Sequence, residues 1–130
     1  MKPDLVAAAA AARQHANSPY SGFKVGAALQ TATGRIYTGC NIENVSYGET
    51  VCAERVALWK ALSEGEKNFN AIAVVTDAPT LTPPCGACRQ LLWEYCGDID
   101  VHLHSLQGMD KHYTLSVLFP VPFDNRNLKA

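Results

Sequence analysis

Ala71-Ile72-Ala73-Val74-Val75 is an unbroken apolar run with no polar position left to face water. It reads as a strand of the buried type, covered on both faces. A helix is predicted on each side of it: about residues 52–63, closed by Gly65, and about residues 85–96. A loop from Pro79 to Pro84 with three prolines leads into the second helix. Upstream, Lys24–Gln30 and Arg35–Cys40 read as partner strands around a Thr33-Gly34 hairpin turn. A first helix is expected over about 3–16, broken by Asn17-Ser18-Pro19, and the stretch from Asn41 to Thr50 reads as a loop. Downstream come a strand, Val101–His104, and a short helix near Thr114–Phe119. Strands alternating with helices indicate an α/β layered domain. No repeat, linker or shift of composition divides residues 1–130, so a single domain is expected.

The 130 residues hold 11 basic and 12 acidic side chains, a net charge of −1, and are 48% hydrophobic. That is an ordinary globular mixture. The basic residues are scattered, which argues against nucleic acid as a partner, since phosphate binding needs them clustered. No apolar stretch reaches the roughly 18 residues of a membrane span, so no membrane role is expected. Met1-Lys2-Pro3-Asp4 reads as a helix start rather than a secretory signal: Pro3 suits a first helical position and Asp4 its first turn. Five cysteines, Cys40, Cys52, Cys85, Cys88 and Cys96, are an odd number. A disulfide framework is therefore a poor reading, and free thiols point to the cytoplasm.

Cys85 and Cys88 form a C-x-x-C within Pro84-Cys85-Gly86-Ala87-Cys88. Residues three apart share one helix face. Cys52 opens the other predicted helix, and helix N-termini favour thiolates. Two helix starts meeting at one point would supply three sulfurs, which suit Zn²⁺ and leave a fourth position open. Cys96 lies about 12 Å further along the helix than Cys88, too far to share the ion, and reads with Cys40 as core filler. His102 and His104, two apart on one strand, read as hydrogen-bonded or solvent-facing; His15 and His112 carry no signal. A C-x-x-C alone also fits a redox dithiol or half a zinc ribbon, but the first leaves Cys52 idle and the second needs another C-x-x-C. Glu54 shifts the balance, because a carboxylate beside a metal-activated water is the acid/base group that hydrolysis needs. Residues two apart diverge on a helix, so Cys52 and Glu54 can converge only at a helix end. Three thiolates with Zn²⁺ leave one net negative charge, which the guanidinium of Arg55 beside the sulfurs would offset.

The strings Cys40-Asn41-Ile42-Glu43-Asn44, Val51-Cys52-Ala53-Glu54-Arg55 and Pro84-Cys85-Gly86-Ala87-Cys88-Arg89-Gln90 resemble the small cytidine deaminases of pyrimidine salvage. The likeness begins with Pro19-Tyr20-Ser21-Gly22-Phe23-Lys24-Val25-Gly26-Ala27-Ala28-Leu29 and covers roughly residues 3–123. Deaminases of nucleic acids or nucleotides typically carry His-x-Glu where this chain has Cys52-Ala53-Glu54, so the free-nucleoside branch is implied. The resemblance implies a three-layer α/β/α sandwich with a mixed central sheet, and one Zn²⁺ per subunit on Cys52, Cys85 and Cys88. It makes Glu54 the proton shuttle, moving protons from water to N3 of cytosine and to the departing amino group. Asn41 and Glu43 match the pair that binds the ribose hydroxyls, and Phe23 the aromatic packed on the pyrimidine. Ala53 would offer its backbone N–H to the base, and Pro83 its carbonyl to the amino group. A homotetramer is implied, with Phe123 completing a neighbour's pocket; read without the resemblance, Phe23 and Phe123 would be core aromatics. Two departures border the base pocket: Pro83 stands where Ser or Thr is usual, and Leu118-Phe119-Pro120-Val121-Pro122-Phe123 replaces Leu-Leu-Pro-Gly-Ala-Phe. The expectation is an enzyme that deaminates cytidine and deoxycytidine and tolerates modified 4-substituents.

Overall fold

The computed structural model describes residues 3–128; Met1 and Lys2, part of the expected helix start, lie outside them. Helix α1 spans Pro3–Arg13, followed by strands β1 (Gly26–Thr31) and β2 (Ile36–Cys40), then helix α2 (Ala53–Ser63). Strand β3 (Phe69–Thr76), helix α3 (Gly86–Cys96), strands β4 (Asp100–Ser105) and β5 (Asp110–Thr114), and short helices α4 (Leu115–Leu118) and α5 (Asn125–Leu128) complete the order. The strands form one mixed sheet, β2-β1-β3-β4-β5, parallel at β3/β4 and antiparallel at the other pairs.

The alternation of side chains explains the layers. Ile72 and Val74 point to one face of β3, where with Ala27, Leu29, Val101 and Leu103 they meet Ala57, Leu58 and Leu92 of α2 and α3. Ala71, Ala73 and Val75 point to the other face and meet Leu5 and Ala9 of α1. The result is the expected three-layer sandwich, and the apolar run of residues 71–75 is buried on both sides.

The sheet order also sets where the helices begin. Gly26 pairs with Cys40 on one side and Val75 on the other. Since β1 runs opposite to both neighbours, the carboxyl ends of β2 and β3 reach the same edge of the sheet. Helices α2 and α3 therefore both start at that edge, the usual place for a ligand site in an open α/β sheet. At Gly39 the fit is close: a Cβ there would lie 2.4 Å from the Ala53 carbonyl oxygen and 2.6 Å from the Ala57 nitrogen. Glycine thus lets the first turn of α2 rest directly on β2.

Some expectations shift. The first helix ends at Arg13 rather than 16, because Gln14, His15 and Ala16 donate to carbonyls three residues back, a tightened final turn. Strand β1 starts at Gly26 rather than Lys24, since the Val25 N–H is taken by Asn41 Oδ1 at 2.9 Å instead of the ladder. Strand β5 was not expected: Asp110-Lys111-His112-Tyr113-Thr114 lacks apolar alternation, as befits a charged, exposed sheet edge. Nor was α5, a four-residue turn without a buried side chain. Cys40 and Cys96 are half-buried rather than fully interior, with Cys96 packed against the core. His102 and His104 both hydrogen-bond one Asp110 oxygen, at 3.0 and 3.1 Å.

Candidate active site

Cys52 and Cys85 are the N-cap residues of α2 and α3, both with extended backbone and neither capping its helix through the sulfur. Their side chains are free of helical spacing, which lets Cys52 and Glu54 converge despite lying two apart. Cys88 follows in the first turn of α3 and is buried. The three sulfurs lie within 4.8 Å of one another, with Cys52 Sγ and Cys85 Sγ 3.9 Å apart. Tetrahedral ligands on bonds of about 2.3 Å would stand roughly 3.8 Å apart, so this donor set fits zinc. Among the described residues it is the one cluster of three His, Cys or carboxylate side chains that fits a metal ion.

The electrostatics favour a thiolate at Cys52. Donation from Cys88 pushes the Cys52 thiol down to about 5, against the opposing pull of burial; Cys85 and Arg55 act in the same sense. Cys88, as the donor to Cys52, is pushed up. Arg55 Nη2 sits 3.8 Å from Cys52 Sγ, the position expected of a compensating guanidinium. Glu54 is buried, and loss of water pushes its carboxyl up to about 7, helped by the charge on Cys52. A carboxyl poised there can take and return protons at neutral pH.

Beside the sulfurs lies a cavity of about 280 Å³, whose walls include Phe23, Asn41, Glu43, Ala53, Glu54 and Pro83. Cys52 and Cys85 open into it, and Ser21, Val25, Thr50, Val51, Val74 and Thr82 complete it. It adjoins an outer cleft of about 350 Å³ with which it shares Ser21, Glu43 and Thr50. Ala53 is the first residue of α2, whose opening N–H groups have no partner within the helix. Phe23 is not a core aromatic: it is 40% exposed, because it lies on the mouth of the cavity. Phe123, 55% exposed, is not one either, and it does not line the cavity of its own chain.

Asn41 and Glu43 also build the wall they belong to. Asn41 accepts from Val25 N–H and donates to the Phe23 carbonyl at 2.7 Å. Glu43 accepts from the Tyr20 and Ser21 N–H groups, each at 3.0 Å, and from the Ser21 hydroxyl. These bonds from Ser21 hold the Glu43 carboxyl below the usual range. A carboxylate has about four lone-pair sites, so one remains for a ligand.

Ser21 and Thr82 were missed as wall residues, for want of a motif that marks a lone hydroxyl. Arg89 stands in the Pro84–Gln90 string, where nothing in the sequence marks its role. Its Nε donates to the Pro84 carbonyl at 2.8 Å and its Nη1 to the Leu118 carbonyl at 2.7 Å. It thereby ties the loop before Cys85 to the end of α4.

The family model for the cytidine and deoxycytidylate deaminase zinc-binding region matches residues 2–102. A cytidine deaminase of Sporosarcina psychrophila is 47% identical over 95% of this chain and 92% of its own length. One of Halalkalibacterium halodurans is 52% identical over 92% and 91%. The crystal structure of cytidine deaminase from Burkholderia pseudomallei superposes with a TM-score of 0.90 at 46% identity, covering 95% of this chain and 99% of that one. Three sulfurs gathered at two helix N-termini, a buried carboxyl beside them, and these likenesses over nearly the whole chain agree: it belongs to the zinc-binding cytidine and deoxycytidylate deaminase family.

Proposed function

We infer that this chain is an enzyme that hydrolyses cytidine and deoxycytidine to uridine and deoxyuridine, releasing ammonia. The observation that carries the reading is the Cys52, Cys85 and Cys88 trio, two of whose members, Cys52 and Cys85, open onto the same cavity as the buried carboxyl of Glu54. Bound there, one Zn²⁺ per subunit supplies the Lewis acidity that makes water nucleophilic near pH 7. Glu54 takes a proton from the water that adds to C4 of the base and delivers it to N3. It then carries the second water proton to the amino group, which leaves as ammonia while the C4 carbonyl forms. Arg55 offsets the charge of the thiolates. The N–H of Ala53 and the carbonyl of Pro83 hold the edge of the base, Phe23 packs on its face, and Asn41 with the remaining acceptor of Glu43 binds the ribose.

Phe123 is assigned to the wall of a pocket in a neighbouring copy, and the working assembly to a homotetramer with shared sites. Its solvent exposure supports this, as does a cavity at the lower limit for small-molecule sites. A free nucleoside substrate supports a role in pyrimidine salvage, and the free thiols support a cytoplasmic location. Pro83 at the cavity lip supports tolerance of modified 4-substituents.

The test is the loss of cytidine absorbance with and without a zinc chelator, alongside uridine detection. Activity that survives complete metal removal would sink the reading. N4-substituted cytidines assayed in parallel decide the breadth at the 4-position, and sedimentation decides the assembly.

A further inference from the structure

The segment that ends in Phe123 is fastened to α3 by side chains outside the cavity. Gln90 Nε2 donates to the Phe123 carbonyl at 2.7 Å, and Trp93 Nε1 donates to Asp124 Oδ2 at 3.1 Å. Asp124 is the centre of the knot. Its carboxylate also accepts from the N–H and the guanidinium of Arg126, the shortest contact at 2.7 Å, while its own N–H donates to Asn127 Oδ1. The side chain is 12% exposed, against 76% for its Arg126 partner. Gln90 and Trp93 lie three apart and share one face of α3, the helix whose start carries Cys85 and Cys88. These bonds hold the Asp124 carboxyl below the usual carboxylate range, as an anion with three kinds of donor requires.

We propose that Asp124 is a positioning residue: with Gln90 and Trp93 it latches the tail to the metal-bearing helix and fixes the direction in which Phe123 projects. The inference rests on reading Phe123 as a wall of a substrate pocket. Val121-Pro122 leaves no glycine in the turn before Phe123, and a side-chain latch aims the ring without the freedom of one.

A double-mutant cycle on cytidine kinetics tests the latch, using the wild type, Phe123→Ala, Asp124→Ala and the double variant, each checked for zinc content. Trp93→Phe, which removes the N–H and keeps the ring, repeats the cycle should Asp124→Ala fail to fold. Each single variant is expected to raise KM roughly tenfold, with kcat and zinc content retained: Asp124→Ala and Trp93→Phe on the scale of a lost hydrogen bond, Phe123→Ala on that of a lost aromatic contact. The double variant should be no worse than Phe123→Ala, because the latch acts through that ring. Effects that multiply, or a loss in kcat or zinc instead of KM, overturn the latch. Should Phe123→Ala leave KM unmoved, the pocket-wall reading fails and the latch falls with it. Should Phe123→Ala raise KM while neither Asp124→Ala nor Trp93→Phe does, the latch alone fails.

Discussion

The two faces of the sheet are packed by the same physics yet only one carries chemistry. On one face α1 lies over β1 and β3 through Leu5, Ala9, Ala28 and Ala73, and the histidines on that face, His102 and His104, are both bonded to Asp110. On the other, α2 and α3 lie over the sheet through a larger apolar cluster. Both faces use a glycine for close approach. A Cβ on Gly26 would lie 2.0 Å from the Ala9 carbonyl oxygen, as one on Gly39 would meet α2. The difference is direction. Near the edge where β2 and β3 end, α1 presents its later turns, Ala9 to Arg13, whereas α2 and α3 present their N-termini. A helix start offers free N–H groups and partial positive charge, which suit thiolates; a helix finish offers the opposite. Packing made both layers, and helix polarity made one of them a site.

The largest contrast comes from removing chemistry without removing packing. Glu54→Gln keeps the size and burial of the side chain and is expected to lower kcat by about 10²–10⁴-fold, the scale of a lost acid/base group. Zinc content and thermal stability should stay near wild type. Leu5→Ala does the reverse. Leu5 is fully buried against the sheet on the α1 face, and its truncation should cost about 2–5 kcal/mol of unfolding free energy. At temperatures well below the melting transition its kcat should equal that of the wild type. A Leu5→Ala protein that melts normally but turns over slowly would break the division between the faces.

The two close-contact glycines, Gly26 and Gly39, separate the faces as well. Gly26→Ala and Gly39→Ala both force a methyl group against helix backbone, each at about 1–3 kcal/mol. Only Gly39→Ala should shift the start of α2, and with it Cys52, Ala53, Glu54 and Arg55. Chelator competition should therefore strip zinc faster from Gly39→Ala than from Gly26→Ala at equal loss of melting temperature. Equal zinc retention in the two variants would mean that the contact at Gly39 does not hold the site.

Which parts were legible in the sequence follows from the same distinction. Periodicity exposes groups that repeat, so the apolar run 71–75 and the alternation around it announced a covered sheet. The metal residues were legible because C-x-x-C, a third cysteine and Glu54 carry chemistry in their spacing. Strand β5 was not, since an edge strand needs no apolar face and its polar residues imitate a loop. The roles of Ser21, Arg89 and Asp124 were hidden for another reason. Each acts through hydrogen bonds to residues 22, 29 and 31 positions away, and only the folded chain brings those partners together. Gly39 gave no signal because a glycine in a strand announces nothing about the helix that will rest on it.

The smallest effect concerns pH and the loop clamped by Glu43. Bonds from Ser21 hold the Glu43 carboxyl below its ordinary value of 4.5. A carboxyl lowered on folding contributes stability that is present above its unfolded pKa and lost as pH falls through the folded one. Acidification should therefore release the segment around Tyr20 and Ser21, whose N–H groups donate to Glu43. The β3 amides between the two apolar clusters should stay protected through the same range. Hydrogen exchange read by NMR at descending pH measures both at once, after correction for intrinsic rates. Ser21→Ala removes the largest cause of the lowered pKa, so release should begin at higher pH in that variant. Protection of Tyr20 and Ser21 that persists unchanged below the carboxylate range would show that the loop is held by something other than Glu43.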